Sequence, residues 1–554
     1  MNLPFSFRPK ILDALKHYSA QSFYSDFAAG VTVGIVALPL SMALAIASGL
    51  PPQIGLFAAV IAGFCVSAFG GSRVQIGGPA GAFVPLLAPI VSKHGPEALV
   101  VCAFMAGFML ITLGACKLGS LIKYIPFPVV TGFTSGIAII IMSTQIRDFL
   151  GLPEKLPPDF IGKLQALAVH FHPHWLTVAL GTVCTLAIWF WPKKIGHRIP
   201  GSIVVVVLAG IASAVLDLPD KFGIQTLGTQ FGDMPRALPA PHWPSLAFDE
   251  WRSLVPAAMT VAVLGAIESL LSAVVSDGMI DDRHDSNQEL MGQGIANIAM
   301  GIFGAMPATG VIARTATNIR CGGRTPVAGI VHSFTVLVIL LAAAPLAKHI
   351  PMAALSAVLI VVSLRMGEWH RFRRLKHWPK SDAAVFLCAF TLTVCIDLPT
   401  AVGASLILAS ALLVARLSEL THVHPDEGAP AGDGHAKAEI PAGVMVFRIF
   451  GAFFFGAADK LETSLRRAGE LPEVLILRMG DVLTLDATGL DALEDLLEKL
   501  RIRQKKLILC GPRSQPLFAL TRAGLIDRIG EVNICGDLDN AIGRAREILA
   551  AKGR

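Results

Sequence analysis

Between Asp26 and Arg73 the chain carries no Lys, Arg, Asp or Glu. A run of that length exceeds the roughly 20 apolar residues that a helix needs to cross a bilayer core. A second stretch, Leu254 to Ser276, is interrupted by Glu268 alone. In hydrocarbon every backbone N–H and C=O must be satisfied within its own element, so such runs have to be helical. Composition agrees, with 53% of the 554 residues hydrophobic and only 16% charged. The mean hydropathy is +0.63, whereas a soluble chain is about a quarter charged. These values exclude a nucleic-acid-binding or disordered protein and predict a polytopic membrane protein embedded in a lipid bilayer.

Charged, Pro and Gly breaks divide the apolar part into fourteen spans. The third (79–92) and tenth (309–320) are too short to cross as complete helices. Basic residues gather after even-numbered spans: Arg73, then Lys117 and Lys123, Lys193, Lys194 and Arg198, Arg283, and Arg320 and Arg324. The densest group, Arg371, Arg373, Arg374, Lys376 and Lys380, follows span twelve. The positive-inside rule places these loops, and hence both termini, in the cytoplasm of a cell whose inner (plasma) membrane holds the protein. The first 25 residues lack a signal-peptide pattern and read as a cytoplasmic N-terminal segment.

Three anchor pairs recur at a nearly constant offset: Pro39 with Glu268, Pro79 with Pro307, and Ile125-Pro126 with Ile350-Pro351. They suggest two halves of seven spans. Because seven is odd, the second half runs inverted. Inverted repeats with a Gly/Pro-interrupted segment at the same place in each half point to a secondary transporter with a site near the membrane midplane. The transporter domain is expected over 26–420. A Pro/Gly/Asp-rich linker should follow at 421–438, and a small soluble domain at 439–554. Within that tail, strand-like runs at Val444–Ile449, Val474–Leu477 and Leu507–Cys510 alternate with helical patterns at 457–468, 488–502 and 514–523, the pattern of an α/β fold.

Chemistry in the depleted part is confined to a few places. Gly77 to Phe83 and Pro307 to Arg314 each combine breakers with a following apolar run. If both open half-helices, their N-termini face one another and present unpaired N–H groups with partial positive charge. That arrangement makes an anion site without a dedicated side chain; otherwise the glycines serve only close helix packing. Arg314 adds positive charge early in span ten, or acts as a structural counter-ion. Glu268 lies in mid-span, where a carboxylate costs roughly 2.5–3.5 kcal/mol, so it should face a cavity or a partner. It could carry a proton with the anion, pair with Arg314, or hold Na⁺ together with Ser269 and Ser272. Asp397 and the Gln145, Arg147 and Asp148 group read as interfacial, and His332 as a packing residue. The nine cysteines form no C-x-x-C pair and read as buried apolar residues, so no metal site is expected. No Walker loop, HExxH or GxSxG occurs, and no enzymatic activity or cofactor is expected. In the tail, Asp486 is placed to cap a helix, and Thr488 falls on its exposed first turn.

Four ordered motifs resemble the sulfate permease (SulP) family of anion transporters: Pro39 to Ala45 with Gly49-Leu50-Pro51-Pro52, Gly77-Gly78-Pro79, Gly265 to Ala273, and Asn287 to Asn297. The tail resembles the family's STAS domain, similar to bacterial anti-sigma-factor antagonists. The resemblance implies a core of spans 1–4 and 8–11 moving against a gate of spans 5–7 and 12–14 in elevator fashion, commonly in a homodimer, with a possible cytoplasmic partner for the STAS domain. It places the anion site at Gly78, Pro79, Ala80, Gly81, Ala308, Thr309, Gly310 and Arg314, and the coupling site at Glu268 and Ser272. Relatives often have Thr where this chain has Ala80, and sodium-coupled bicarbonate members tend to have Asp where Glu268 stands. The resemblance therefore favours protons over Na⁺. Thr488 corresponds to the antagonists' phosphorylated Ser. Gly265 to Ser272 and Gln145 to Gly151 look most like the bacterial proton-coupled C4-dicarboxylate permeases.

The expectation is a proton-coupled importer of sulfate or a similar small inorganic or carboxylate anion. A C4-dicarboxylate, aspartate or bicarbonate transporter, an anion channel, and a sensor signalling through the STAS domain are the alternatives.

Overall fold

The computed structural model describes residues 7–120, 125–154, 156–157, 159–169, 171–192, 200–243, 248–420, 422–425, 440–453, 463–464 and 472–552. Contacts divide the chain into two units, Met1–Ile407 and Leu408–Arg554.

The first unit is helical. Its principal helices are α1 (Ala20–Ala47), α2 (Pro52–Phe69), α3 (Val84–His94), α4 (Pro96–Ala115), α5 (Phe127–Thr144), α6 (Trp175–Trp189) and α7 (Gly201–Leu216). They are followed by α8 (Phe248–Ile280), α9 (Ser286–Ile302), α10 (Ile312–Arg320), α11 (Val327–Ala347), α12 (Met352–Met366) and α13 (Lys380–Cys395), while α14 (Leu398–Leu420) runs across the division into the second unit. Among the described residues, eight helices are long and apolar enough to cross a membrane. The elements at the expected third and tenth positions, α3 and α10, are the short ones. The helices start where the sequence supplies N-terminal signals. Ser19 caps α1 by accepting from Ser22 N, Asp285 caps α9 by accepting from Asn287 and Gln288 N, and Pro opens α2 and α4. Asp397, expected to be interfacial, is exposed and accepts from Thr400 N at 2.8 Å near the start of α14. A helix at Phe160–Val169, between α5 and α6, was not anticipated by the apolar-run division.

Packing reveals the repeat. The densest helix pairings are α4 with α9, α1 with α11, α5 with α13, α2 with α9, α4 with α8, α2 with α11, α6 with α12 and α1 with α2, followed by α5 with α12 and α8 with α10. Exchanging each helix for its counterpart in the other half (α1 for α8, α2 for α9, and so on) turns α1–α11 into α8–α4. The same exchange turns α4–α9 into α11–α2 and α5–α13 into α12–α6, while α2–α9 and α5–α12 map onto themselves. The pairings also fall into two groups, one made of helices from α1–α4 and α8–α11, the other from α5, α6, α12 and α13.

Between the halves lies a feature the periodicity did not predict. Strand β1 (Gly77–Gly78) pairs antiparallel with β2 (Thr309–Gly310), Gly77 opposite Gly310 and Gly78 opposite Thr309.

The second unit carries a five-stranded sheet in the order β3 (His422–Pro425), β4 (Val444–Phe453), β5 (Val474–Leu485), β6 (Lys506–Cys510) and β7 (Ile534–Cys535). Only β3–β4 is antiparallel. Successive side chains of a strand point to opposite faces. Phe447, Leu477 and Leu509 accordingly pack with Leu493 and Leu500 of α15 (Ala487–Ile502) and Leu520 of α16 (Ser514–Arg522). Val446, Ile476 and Ile508 pack with Ala541 and Ala545 of the last helix, Leu538–Lys552. The predicted linker needs correcting at its start. Residues 422–425 form the edge strand, with Val423 buried and His422 and His424 exposed, and the breaker-rich stretch begins only at Pro425. Residues 426–438, and nearly all of the helical pattern expected at 457–468, lie outside the described residues.

Candidate anion site

Each of the two short strands leads into a half-helix: β1 into a 3₁₀ turn at Gly81–Phe83 and then α3, β2 directly into α10. Because the strands are antiparallel, the half-helices leave the ladder in opposite directions with both N-termini turned back toward it. Each N-terminus presents backbone N–H groups without intrahelical partners and the positive end of a peptide dipole. The expected residues Gly78, Pro79, Ala80, Gly81, Ala308, Thr309, Gly310 and Arg314 are thereby gathered around one two-stranded element. Gly81 faces Ile141 of α5, Met366 of α12 and Leu44 of α1, so this element abuts the second group of helices.

Arg314 is 2% exposed. Its Nη2 donates to Ser41 Oγ of α1 at 2.9 Å and, at 3.4 Å, to Pro79 O beyond β1. Nε and Nη1 find no protein acceptor. Nη1 lies so close to the strand that a Cβ at Gly78 would stand 1.9 Å from it. A cation thus sits against the backbone from which one half-helix springs, with two donors to spare.

The ladder is held from behind by polar side chains, of which the sequence reading singled out Thr309 and Ser269 but not Gln75, Glu289, Asn297 or Thr315. Asn297 of α9 clamps Ala308 from both sides, with Nδ2 donating to Ala308 O at 2.9 Å and Oδ1 accepting from Ala308 N at 3.3 Å. Thr309 Oγ1 donates to Gly265 O at 2.9 Å, which ties β2 to α8. Thr315 Oγ1 accepts from Ile76 N at 3.1 Å. Gln75 Nε2 donates to the carbonyl and hydroxyl of Ser269 at 3.1 and 3.0 Å, and a side chain on Gly310 would collide with it. Fully buried Glu289 accepts from Gly71 N at 2.9 Å, Ser72 N at 3.1 Å, Ser269 Oγ at 3.2 Å and Gln293 Nε2 at 2.9 Å. One signal was available: Glu289, Gln293 and Asn297 recur every fourth residue, which aligns them on one face of a helix.

Glu268 stands apart from this network. It is partly exposed, its Oε2 is covered without a hydrogen-bond partner, and no ion pair joins it to Arg314. The pairing alternative is therefore not realised. Ser269 turns its hydroxyl toward Glu289 rather than Glu268. Ser272 is buried, and its Oγ lies 3.5 Å from Thr315 Oγ1. His332 is buried, with neither ring nitrogen hydrogen-bonded to the protein. No group of three or more His, Cys, Asp or Glu side chains able to hold a metal occurs among the described residues.

In the second unit, Asp486 caps α15 by accepting from Gly489 N at 2.8 Å, and Thr488 is exposed on the first turn. Gln515 of α16 brackets the preceding residue, accepting from Leu485 N at 2.8 Å and donating to Leu485 O at 3.2 Å.

A helical membrane domain with two half-helices meeting at a short ladder, joined to a small α/β domain, is the construction of a membrane anion transporter with a C-terminal α/β domain. The chain belongs to the sulfate permease (SulP) family of anion transporters: the model of the Sulfate permease family matches residues 23–389, and that of the STAS domain residues 435–541. It is 41% identical to YvdB of Bacillus subtilis (strain 168), over 95% of this chain and 99% of that one. It is 30% identical to the bicarbonate transporter BicA of Picosynechococcus sp. (strain ATCC 27264 / PCC 7002 / PR-6), over 91% of each. In fold it is similar to the solved structure of SLC26A9, with a TM-score of 0.87 at 17% identity, covering 98% of this chain and 93% of that one.

Proposed function

We propose that the protein is a secondary active importer of sulfate or a similar small anion, driven by protons and working by an elevator motion. The observation that carries this reading is the buried Arg314, whose two uncommitted guanidinium nitrogens lie beside the paired roots of two half-helices. Gly78, Pro79, Ala80 and Gly81 with Ala308, Thr309, Gly310 and Arg314 form the anion site, to which the backbone N–H groups and the guanidinium donate. Thr309 spends its own proton on Gly265 O and serves to position the ladder. Glu268, lacking any protein partner for Oε2, carries the proton, with Ser272 beside it. Na⁺ coupling is less favoured, because Ser269 is turned away. Helices α1–α4 and α8–α11 are the moving core, and α5–α7 and α12–α14 the gate.

The protein acts in the plasma membrane with its STAS domain in the cytoplasm, as a homodimer. Thr488 is offered for phosphorylation or for a cytoplasmic partner. A bicarbonate substrate is the second reading, favoured by the identity with BicA over nearly the whole chain; C4-dicarboxylates share the same positive pocket.

Uptake into proteoliposomes under an inward proton gradient tests the proposal. Saturable entry of sulfate, bicarbonate or a dicarboxylate is expected. Failure of all three, or unsaturable currents without proton movement, would overturn it. Glu268→Gln should abolish proton-driven accumulation while leaving counterflow exchange.

A further inference from the structure

The segment between α12 and α13 has two chemically distinct sides. Along the helix Trp369–Arg374, the turn Leu375–His377 and the residue that follows, Trp369, Phe372, Leu375 and Trp378 are half-buried. Trp369 stacks on Phe372 at 6.2 Å, and Phe372 meets Phe386 and Phe390 of α13 edge-on, each at 5.0 Å. Trp378 packs edge-on against Phe386 at 5.7 Å and lies 6.2 Å from Phe127 at the start of α5. Trp369 Nε1 donates to Leu364 O at 2.8 Å. The Arg371 guanidinium lies 4.8 Å from the centre of the Phe127 ring and pairs with Glu368 at 2.7 Å.

The other side is cationic. Arg373, Arg374, Lys376 and Lys380 are exposed, and among the described residues none of them takes part in an ion pair. His370 and His377 stand among them, also exposed. Glu368, already paired, and Asp382 are the only carboxylates between Gly367 and Asp382. Aromatic contacts to α5 and α13 hold these cations at the ends of apolar helices, so their spacing is fixed by the fold.

We infer that residues 369–380 form a binding surface for the headgroups of anionic phospholipids in the leaflet that this loop adjoins. The chemistry is complementary throughout. Trp and Phe settle at the membrane interface, and clustered Lys and Arg beside a membrane helix attract negatively charged headgroups. A phosphate diester presents acceptor oxygens to which guanidinium groups donate in bidentate fashion. Position selects lipid over a soluble anion, since the cations stand where a span ends and headgroups begin. By the positive-inside rule the leaflet is the inner one. The surface is separate from the anion site and does not depend on which substrate that site takes.

The test uses the full chain in nanodiscs of phosphatidylcholine with increasing phosphatidylglycerol or cardiolipin, read by native mass spectrometry of retained lipid. The wild type should retain anionic lipid selectively, and salt should weaken the retention. Arg373→Gln/Arg374→Gln/Lys376→Gln, which removes no side-chain hydrogen bond or ion pair among the described residues, should lower the apparent affinity by about 100-fold. Arg373→Lys/Arg374→Lys, which keeps the charge, should retain most of it and controls for misfolding. Equal retention by wild type and the triple Gln variant would overturn the inference. Displacement of the lipid by millimolar inorganic phosphate or sulfate would also overturn it, by showing a free-anion site instead.

Discussion

Gly78 and Arg314 meet with nothing between them: a Cβ on the glycine would stand 1.9 Å from Nη1 of the guanidinium. The strand that opens one half-helix and the side chain carried by the other therefore share one volume. Gly78→Ala should push the guanidinium off the strand while leaving the helices in place. Loss of one charge-assisted hydrogen bond corresponds to a rise of about tenfold or more in the KM for anion uptake, read in proteoliposomes. An unchanged KM would separate Arg314 from the substrate.

Arg314→Lys is the companion experiment. Lysine keeps a positive charge but lacks the planar fork that reaches Ser41 and the ladder together. Uptake should fall sharply although the net charge is the same. Full uptake would mean that long-range attraction suffices.

Glu268 of α8 and Glu289 of α9 should behave oppositely. Glu289 accepts four hydrogen bonds, so Glu289→Gln turns an amide N–H toward existing donors and should cost about 1.5–3 kcal/mol of stability. Glu268 leaves Oε2 without a partner, so Glu268→Gln should leave stability unchanged or raised. Melting temperatures of the two purified variants in one detergent decide the matter, and a lower value for Glu268→Gln would contradict the geometry.

Asn297→Leu keeps the volume but removes both bonds to Ala308. A buried N–H and C=O left unpaired cost about 1–3 kcal/mol each. The expected outcome is a lower melting temperature together with weaker anion binding, because the root of α10 loses its clamp. Normal binding with reduced stability would show that the ladder keeps its shape without Asn297.

Outside the membrane, Tyr18 OH donates to Asp26 Oδ2 at 3.1 Å. Burial, and then the Asp26 charge, push the phenol up to about 12. Its folded value is thus raised, so the stabilisation is complete below the ordinary tyrosine value near 10 and is lost as pH rises through about 12. The chain has three tyrosines. Absorbance titration should show one ionising about two units late, and Tyr18→Phe should delete that step.

Much of this was legible in the residues. Scarcity of charge marked the membrane part, and breakers at equivalent places in two halves marked the half-helices. Glu268 and Arg314 stood out because a charge in an apolar run is conspicuous. Apart from the four-residue spacing of Glu289, Gln293 and Asn297, little pointed to Gln75, Glu289 and Asn297, because their bonds to the ladder and its flanks run to residues distant in sequence, such as Ser269, Gly71 or Ala308. Such bonds have no local pattern. The β1–β2 ladder escaped for a related reason: two residues per strand, three of the four glycine, carry no alternation to read. The edge strand at 422–425 reads as linker in the sequence because the breaker-rich composition of the following residues masks a four-residue pattern.

The ladder has a mechanical consequence. Its paired backbone segments fasten the two oppositely directed half-helices at their roots, while Asn297, Thr309 and Thr315 fasten the ladder to its surroundings. Neither half-helix can swing away alone without tearing hydrogen bonds that water is poorly placed to replace. The ladder is then a rivet rather than a hinge, which is the construction that the proposed elevator motion, carrying the riveted piece whole past its neighbours, would require.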